Sequence, residues 1–189
     1  VDYYARFLAR FPTLAHVAEA EPAHVTDAWT GLGYYARARN LHALARRVTA
    51  DGGTIPADPT ALRALPGVGA YTAGAVASFA HERRAVLVDT NVARVLSRVF
   101  APELQPKRPR DLTRLWRIAE AILPRTGRAA WAHNQALMEL GALVCTARAR
   151  HCGACPVRTL CATHAARGCP PGGREGAPRD GAPRASTRQ

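Results

Sequence analysis

Four cysteines near the C-terminal end, Cys145, Cys152, Cys155 and Cys161, stand at C-x6-C-x2-C-x5-C spacing. Four thiolates so close along a chain can surround a cuboidal iron–sulfur cluster at little chain-closure cost. Two other chemistries compete for the same residues. A disulfide framework belongs to small secreted chains, and a zinc site more often shows two separated C-x2-C pairs, where this chain has one. No apolar run is long enough to span a membrane, and no charged start with a cleavage site marks a signal peptide, so a reducing cytoplasm is expected and disulfides are disfavoured. The fifth cysteine, Cys169, lies in the tail without a partner and reads as a spare thiol.

Two other places could do chemistry. In Leu65-Pro66-Gly67-Val68-Gly69, two glycines flank one apolar residue, which lets the backbone turn tightly and approach another molecule. Amides of such a turn and of the helix that follows point outward unpaired and suit a phosphate, although an ordinary helix–helix connection uses the same residues. Further on, Val88-Asp89-Thr90-Asn91-Val92 sets an aspartate after an apolar run and before an amphipathic pattern. Asp89 is expected to cap that helix, and a carboxylate near the positive end of a helix is favoured as an anion. It could stabilise a cation but not donate a proton. Thr72 and Ser78 have no His–Asp constellation around them and read as structural hydroxyls.

The elements that must position these residues are helices. Residues 2–10, 13–20 and 22–29 read as short helices, with Pro22 suited to a first turn. A longer helix is expected from Tyr34 to Asp51, with Leu41, Leu44, Ala45 and Val48 on one stripe, Arg39, Arg46 and Arg47 off it, and Gly52-Gly53 ending it. Asp58-Pro59 starts another, Ala70 to His81 forms the next, and Asp89 to Phe100 follows with Val92, Val95, Leu96 and Val99 at helical spacing. Leu112, Leu115, Trp116, Ala119, Ile122 and Leu123 repeat the pattern, and a last helix is expected from about Gly127 to Val144. Ala85 to Val88 is the one strand-like run. After Gly168 the composition turns to Gly, Pro, Arg and Ser, which cannot bury a core, so disorder is expected there.

The 189 residues fit one domain or two small ones, and 48% hydrophobic content suffices for a core. Basic residues outnumber acidic ones 26 to 14, for a net charge of +12, which points to a polyanionic partner such as nucleic acid. All basic residues but Lys107 are arginine, so part of the excess reflects residue bias rather than binding.

The motifs carry a resemblance. Gly31-Leu32-Gly33-Tyr34-Tyr35-Ala36-Arg37-Ala38-Arg39-Asn40-Leu41, the Leu65–Gly69 hairpin with Ala70-Tyr71-Thr72-Ala73-Gly74, Val88-Asp89-Thr90-Asn91-Val92-Ala93-Arg94-Val95-Leu96, Asn134-Gln135-Ala136-Leu137-Met138-Glu139-Leu140-Gly141 and the four-cysteine loop are together similar to the catalytic domain of the adenine DNA glycosylases, the MutY family. That family belongs to the endonuclease III helix–hairpin–helix superfamily, and the likeness runs from residue 1 to about 165. It implies an all-α helix–hairpin–helix glycosylase fold: a six-helix lobe lacking its first part at residues 1–109, C-terminal helices with the iron–sulfur loop at 110–167, and the tail at 168–189.

The activity implied is base-excision removal of adenine mispaired with 8-oxoguanine or guanine. A glycosylase must flip the base, protonate it as it leaves and stabilise an oxocarbenium-like sugar. Asp89 matches the family's aspartate for the last task, and Asn91 and Tyr71 match positions lining the same site. Tyr34 matches a wedge inserted beside the mispaired purine; Arg37 joins it on the DNA-binding side. Gly67, Val68 and Gly69 would hold a phosphate through backbone amides. Arg148 and Arg150 would touch the DNA backbone from the cysteine loop, or else are solvated surface charge. The implied cofactor is a 4Fe–4S cluster on Cys145, Cys152, Cys155 and Cys161. The implied partner is mismatched double-stranded DNA, met by a monomer in a bacterial, nucleoid-associated cytoplasmic setting without membrane contact. Relatives that also cut the strand use a lysine where this chain has Tyr71. A Schiff base needs an amine, so monofunctional chemistry is expected.

Two departures from the family pattern bear on activity. The chain starts at Val1, within what resembles an early helix, and the family's catalytic glutamate would fall upstream, so the proton donor is expected to be missing and this form impaired. The family's reader of 8-oxoguanine would begin where the low-complexity tail lies. A thymine–guanine mismatch glycosylase is the enzyme alternative, and a catalytically impaired DNA-binding or redox module is the alternative of another class.

Overall fold

A computed structural model of the protein describes residues 2–167. Cys169 and the tail expected to be disordered lie outside them. The described chain is helical: α1 (Asp2–Arg10), α2 (Leu14–Glu19), α3 (Pro22–Ala28), α4 (Ala36–Ala50), α5 (Pro59–Arg63), α6 (Ala70–Ala75), α7 (Thr90–Phe100), α8 (Pro109–Ile122), α9 (Gly127–Glu139) and α10 (Ala162–Arg167). Each of α6 and α9 runs on into a π-helical turn, Val76–Ala80 and Leu140–Val144. No strand forms among the described residues; an isolated bridge joins Cys145 and Arg150. None of these helices is long and apolar enough to cross a membrane.

Local sequence sets the boundaries. Thr13 and Asp58 each accept a hydrogen bond from the backbone N–H three residues on, and Pro22 and Pro59 occupy first-turn positions where a missing N–H costs nothing. The expected helix from Tyr34 begins instead at Ala36, because Tyr34 has φ +48. The strand-like run 85–88 is corrected too. It is extended and largely buried, but it packs as core rather than pairing: a Cβ on Gly74 would lie 2.0 Å from the Val86 carbonyl oxygen.

The chain divides into two compact units. One comprises residues up to Leu87 together with Ile122–Asn134; the other comprises Val88–Ala121 together with residues from Gln135 onward. This division is not the linear one at residue 109, since α9 begins in the first unit and ends in the second.

In the first unit, α2 and α3 pack on α4, burying Val17, Val25, Ala45 and Phe11. A second cluster of Leu62, Ala73, Ala77 and Ala85 supports the hairpin between α5 and α6, with Leu65 and Val68 packed against it. Two buried polar side chains in this interior are paired. Asn134 Nδ2 donates to Ser78 Oγ and to the Ala85 carbonyl, both at 2.9 Å, and His42 Nε2 donates to the Ala20 carbonyl at 3.0 Å. In the second unit, Val95, Val99 and Leu140 form a core against which Cys145, Cys155 and Cys161 are partly buried.

Candidate nucleic-acid and metal-binding sites

The first unit carries the expected wedge and hairpin. Three residues at positive φ within four positions, Gly31, Gly33 and Tyr34, throw the chain out between α3 and α4. Tyr34 is 84% exposed, and a non-glycine residue at positive φ carries strain that persists only where surrounding structure fixes it. That structure is visible: Trp29 Nε1 donates to the Gly33 carbonyl, and the Arg37 guanidinium sits 5.4 Å from the Trp29 ring and 5.7 Å from the Tyr34 ring. Arg37 and Tyr34 are therefore brought together on the outside of this unit. Trp29 was not among the expected site residues, and its only sequence signal is its position just before the glycine-rich turn.

In the hairpin, Gly67 has φ +72, and a Cβ there would lie 2.4 Å from the Asn40 Cβ, so both conformation and space require glycine. Asn40 belongs to the Gly31–Leu41 motif, so two of the motifs meet at this contact. Gly69 caps α6, and nothing lies within 4 Å of the Cβ it lacks. Its open side leaves room for a phosphate to approach the start of α6. Tyr71, two residues into α6, is 38% exposed.

The second unit holds Asp89 and the cysteines. Asp89 caps α7: Val92 N–H donates to Oδ1 at 2.6 Å, and Asn91 Nδ2 donates to Oδ2 at 3.1 Å. Both carboxylate oxygens are thus held, and the group lies at the positive end of an 11-residue helix. Asn91 Oδ1 in turn accepts from Arg94 Nη2 at 2.8 Å. The same guanidinium donates to the Gly141 carbonyl at 2.7 Å and the Cys145 carbonyl at 3.0 Å. Arg98, one turn on, donates to the Thr146 carbonyl at 2.8 Å and to Cys145 Sγ at 3.3 Å. One helix face therefore ties the aspartate to the start of the cysteine loop. Arg94 and Arg98 were not singled out by sequence, although Arg94 stands three residues after Asn91 and Arg98 four after Arg94, which puts all three on one helix face.

The four cysteines line one cavity with Val95, Val99, Leu140, Arg150 and His164. Burial pushes the Cys155 thiol up from its ordinary range, with the neighbouring Cys145 and Cys161 adding to the rise and the Val157 N–H opposing it. A tetrahedral zinc ion with sulfurs at about 2.3 Å would draw the thiolates to roughly 4 Å of each other. Among the described residues, no three His, Cys, Asp or Glu side chains come close enough to hold a single metal ion. Four sulfur donors on one cavity match, by donor chemistry, the set that holds an iron–sulfur cluster. Arg150 is half-buried on the wall of this cavity, whereas Arg148 is exposed at the loop tip. That loop turns on Thr146, whose hydroxyl donates to the Ala149 carbonyl and accepts from its N–H.

A helical hairpin with a glycine-lined turn, followed by a helix capped by aspartate, is the pattern of a base-excision fold, and residues 1–120 match the HhH-GPD superfamily base excision DNA repair protein family. The chain belongs to that superfamily. Within it, the chain is 44% identical over 168 residues to the adenine DNA glycosylase of Rattus norvegicus, covering 87% of this chain and 32% of the relative. The chain therefore spans about a third of the length of that curated relative. Among solved structures, a thermostable thymine-DNA glycosylase superposes with a TM-score of 0.77 at 29% identity, covering 87% of this chain and 76% of the other. A trapped endonuclease III–DNA covalent intermediate gives 0.75 at 24% identity, covering 88% and 76%, which supports the fold alone.

Proposed function

We propose that this chain is the catalytic part of a DNA glycosylase that hydrolyses the N-glycosidic bond of adenine mispaired with 8-oxoguanine or guanine and leaves the strand uncut. The observation that carries this reading is Asp89: a carboxylate with both oxygens held by hydrogen bonds at a helix N-terminus, in a motif similar to the adenine glycosylases. Fixed in advance, such a charge stabilises an oxocarbenium-like sugar without reorganising as the bond breaks.

The remaining roles follow from chemistry. Asn91 orients the carboxylate, and Tyr71 lines the base pocket. The turn amides of Gly67, Val68 and Gly69 hold a phosphate, which gives position without sequence readout. Tyr34, exposed and strained, stacks beside the mispaired purine, and Arg37 braces it. Arg148 and Arg150 meet the DNA backbone from the cysteine loop. Cys145, Cys152, Cys155 and Cys161 hold a 4Fe–4S cluster, which when bound cross-links the loop to the core of its unit. The acid that protonates the departing base is not among the residues assigned here. With Tyr71 rather than an amine on α6, no Schiff base forms and the chain does not cleave the strand.

A second reading, thymine release from T:G pairs, is favoured by the likeness to the thymine-DNA glycosylase. Base-release assays on A:8-oxoguanine, A:G and T:G duplexes separate the two. Adenine release without strand scission supports the proposal, and release of thymine alone overturns it. Duplex binding with no release of any base favours a non-catalytic binding fragment.

A further inference from the structure

We propose that His164 donates a hydrogen bond from Nδ1 to a sulfur of the cluster held by the four cysteines, and thereby raises that cluster's reduction potential. The proposal rests on the cluster reading above. Three observations carry it. His164 lines the cavity that the four cysteines share. Its Nδ1 is buried and has no hydrogen-bond partner among the described residues. The ring is also held in place: His164 lies on α10, which starts directly after Cys161, and the flanking Thr163 hydroxyl donates to the Arg98 carbonyl at 2.7 Å while Ala165 N–H donates to the Cys161 carbonyl at 2.9 Å.

A buried imidazole nitrogen without a partner is uncommon and calls for an explanation, and unlike His133, which does not line it, His164 sits on the wall of the four-cysteine cavity. The wall offers little else. Val95, Val99, Leu140, Val144 and Val157 have no polar side-chain atoms, the Arg98, Arg150 and Arg158 guanidiniums only donate, and the Thr163 hydroxyl is engaged with the Arg98 carbonyl, so beside the His151 ring the acceptors among the lining side chains are sulfurs. An Nδ1–H aimed at thiolate or sulfide withdraws electron density and favours the reduced cluster, as do the other donors there, Arg98 Nη1 on Cys145 Sγ and the Val157 N–H on Cys155. Among these donors, His164 is the one with no other bond to make.

The test uses the full chain loaded with iron and sulfide, compared with His164→Leu and His164→Gln. Spectroelectrochemistry should show a lower reduction potential for His164→Leu and a value near the parent for His164→Gln, whose amide keeps an N–H. In the parent, the Fe–S stretching bands in resonance Raman should shift on transfer to deuterium oxide, and that shift should shrink in His164→Leu. Equal potentials and equal shifts in all three loaded proteins would overturn the proposal. If His164→Leu does not fold, His164→Phe keeps the ring volume without its nitrogens and supplies the same comparison. A parent chain that binds no four-iron cluster and shows no broad absorbance near 400 nm would instead remove the cluster reading itself.

Discussion

Asp89 does two things that one substitution can separate. Asparagine caps helices about as well as aspartate, so Asp89→Asn should keep the Val92 N–H bond and the melting temperature while losing the charge. Base excision should fall by about 100-fold or more, the cost of removing one fixed charge at a cationic transition state. Asp89→Ala should lose both, with about 1 kcal/mol of stability gone in denaturant titration. Unchanged turnover in Asp89→Asn would leave capping as the residue's whole role. At Tyr34 the expected signs are opposed. Tyr34→Gly relieves a left-handed backbone and should stabilise the fold by about 1 kcal/mol while weakening mismatch discrimination. A third residue responds to pH: His133 Nε2 is buried without a partner among the described residues, and burial pushes its pKa below the ordinary imidazole range. A lowered folded pKa means stability is full above the ordinary value near 6.5 and is lost as pH falls through the folded one. Thermal melts between pH 7 and pH 5 should show this loss, and His133→Leu should flatten it.

At the scale of elements, the π-helical turn after α9 places Gly141 against Asn91. A Cβ at 141 would stand 2.8 Å from the Asn91 Cβ. Gly141→Ala should therefore displace Asn91, release one oxygen of Asp89 and cost about 1–3 kcal/mol, with excision falling more than duplex affinity. Full activity with the glycine replaced would show that Asn91 need not be held. Much of this unit was legible in the sequence. An aspartate before Val92, Val95, Leu96 and Val99 spells out a capped amphipathic helix, because both signals are local. Arg94 was not legible as a tie, since its acceptor carbonyls come from Gly141 and Cys145, brought close only by folding. The π turns were missed for a related reason: an apolar stripe has nearly the same look whether one turn is widened or not. Tyr34 shows the converse. The helical pattern runs through it, yet the backbone leaves helical space there because Trp29 and Arg37 hold a turn that local propensity does not favour.

Across the whole molecule, the net charge of +12 gives duplex binding a steep ionic-strength dependence. Each phosphate contact contributes a slope of about −0.9 in log affinity against log salt, so Arg148→Ala should weaken binding evenly across sequences and reduce the slope by roughly 1. A slope unchanged in that variant would return Arg148 to the solvated surface. The division at residue 109 implied by the family resemblance is linear along the chain, whereas contacts do not respect chain order: the path leaves the first unit after Leu87, returns at Ile122 and departs again after Asn134. Neither unit is one continuous stretch of the gene. A recombination breakpoint strictly between residues 88 and 134 leaves each unit missing a strip that the other fragment encodes. The two must be inherited together, and a library of chimaeras should yield folded survivors only where crossovers avoid that interval.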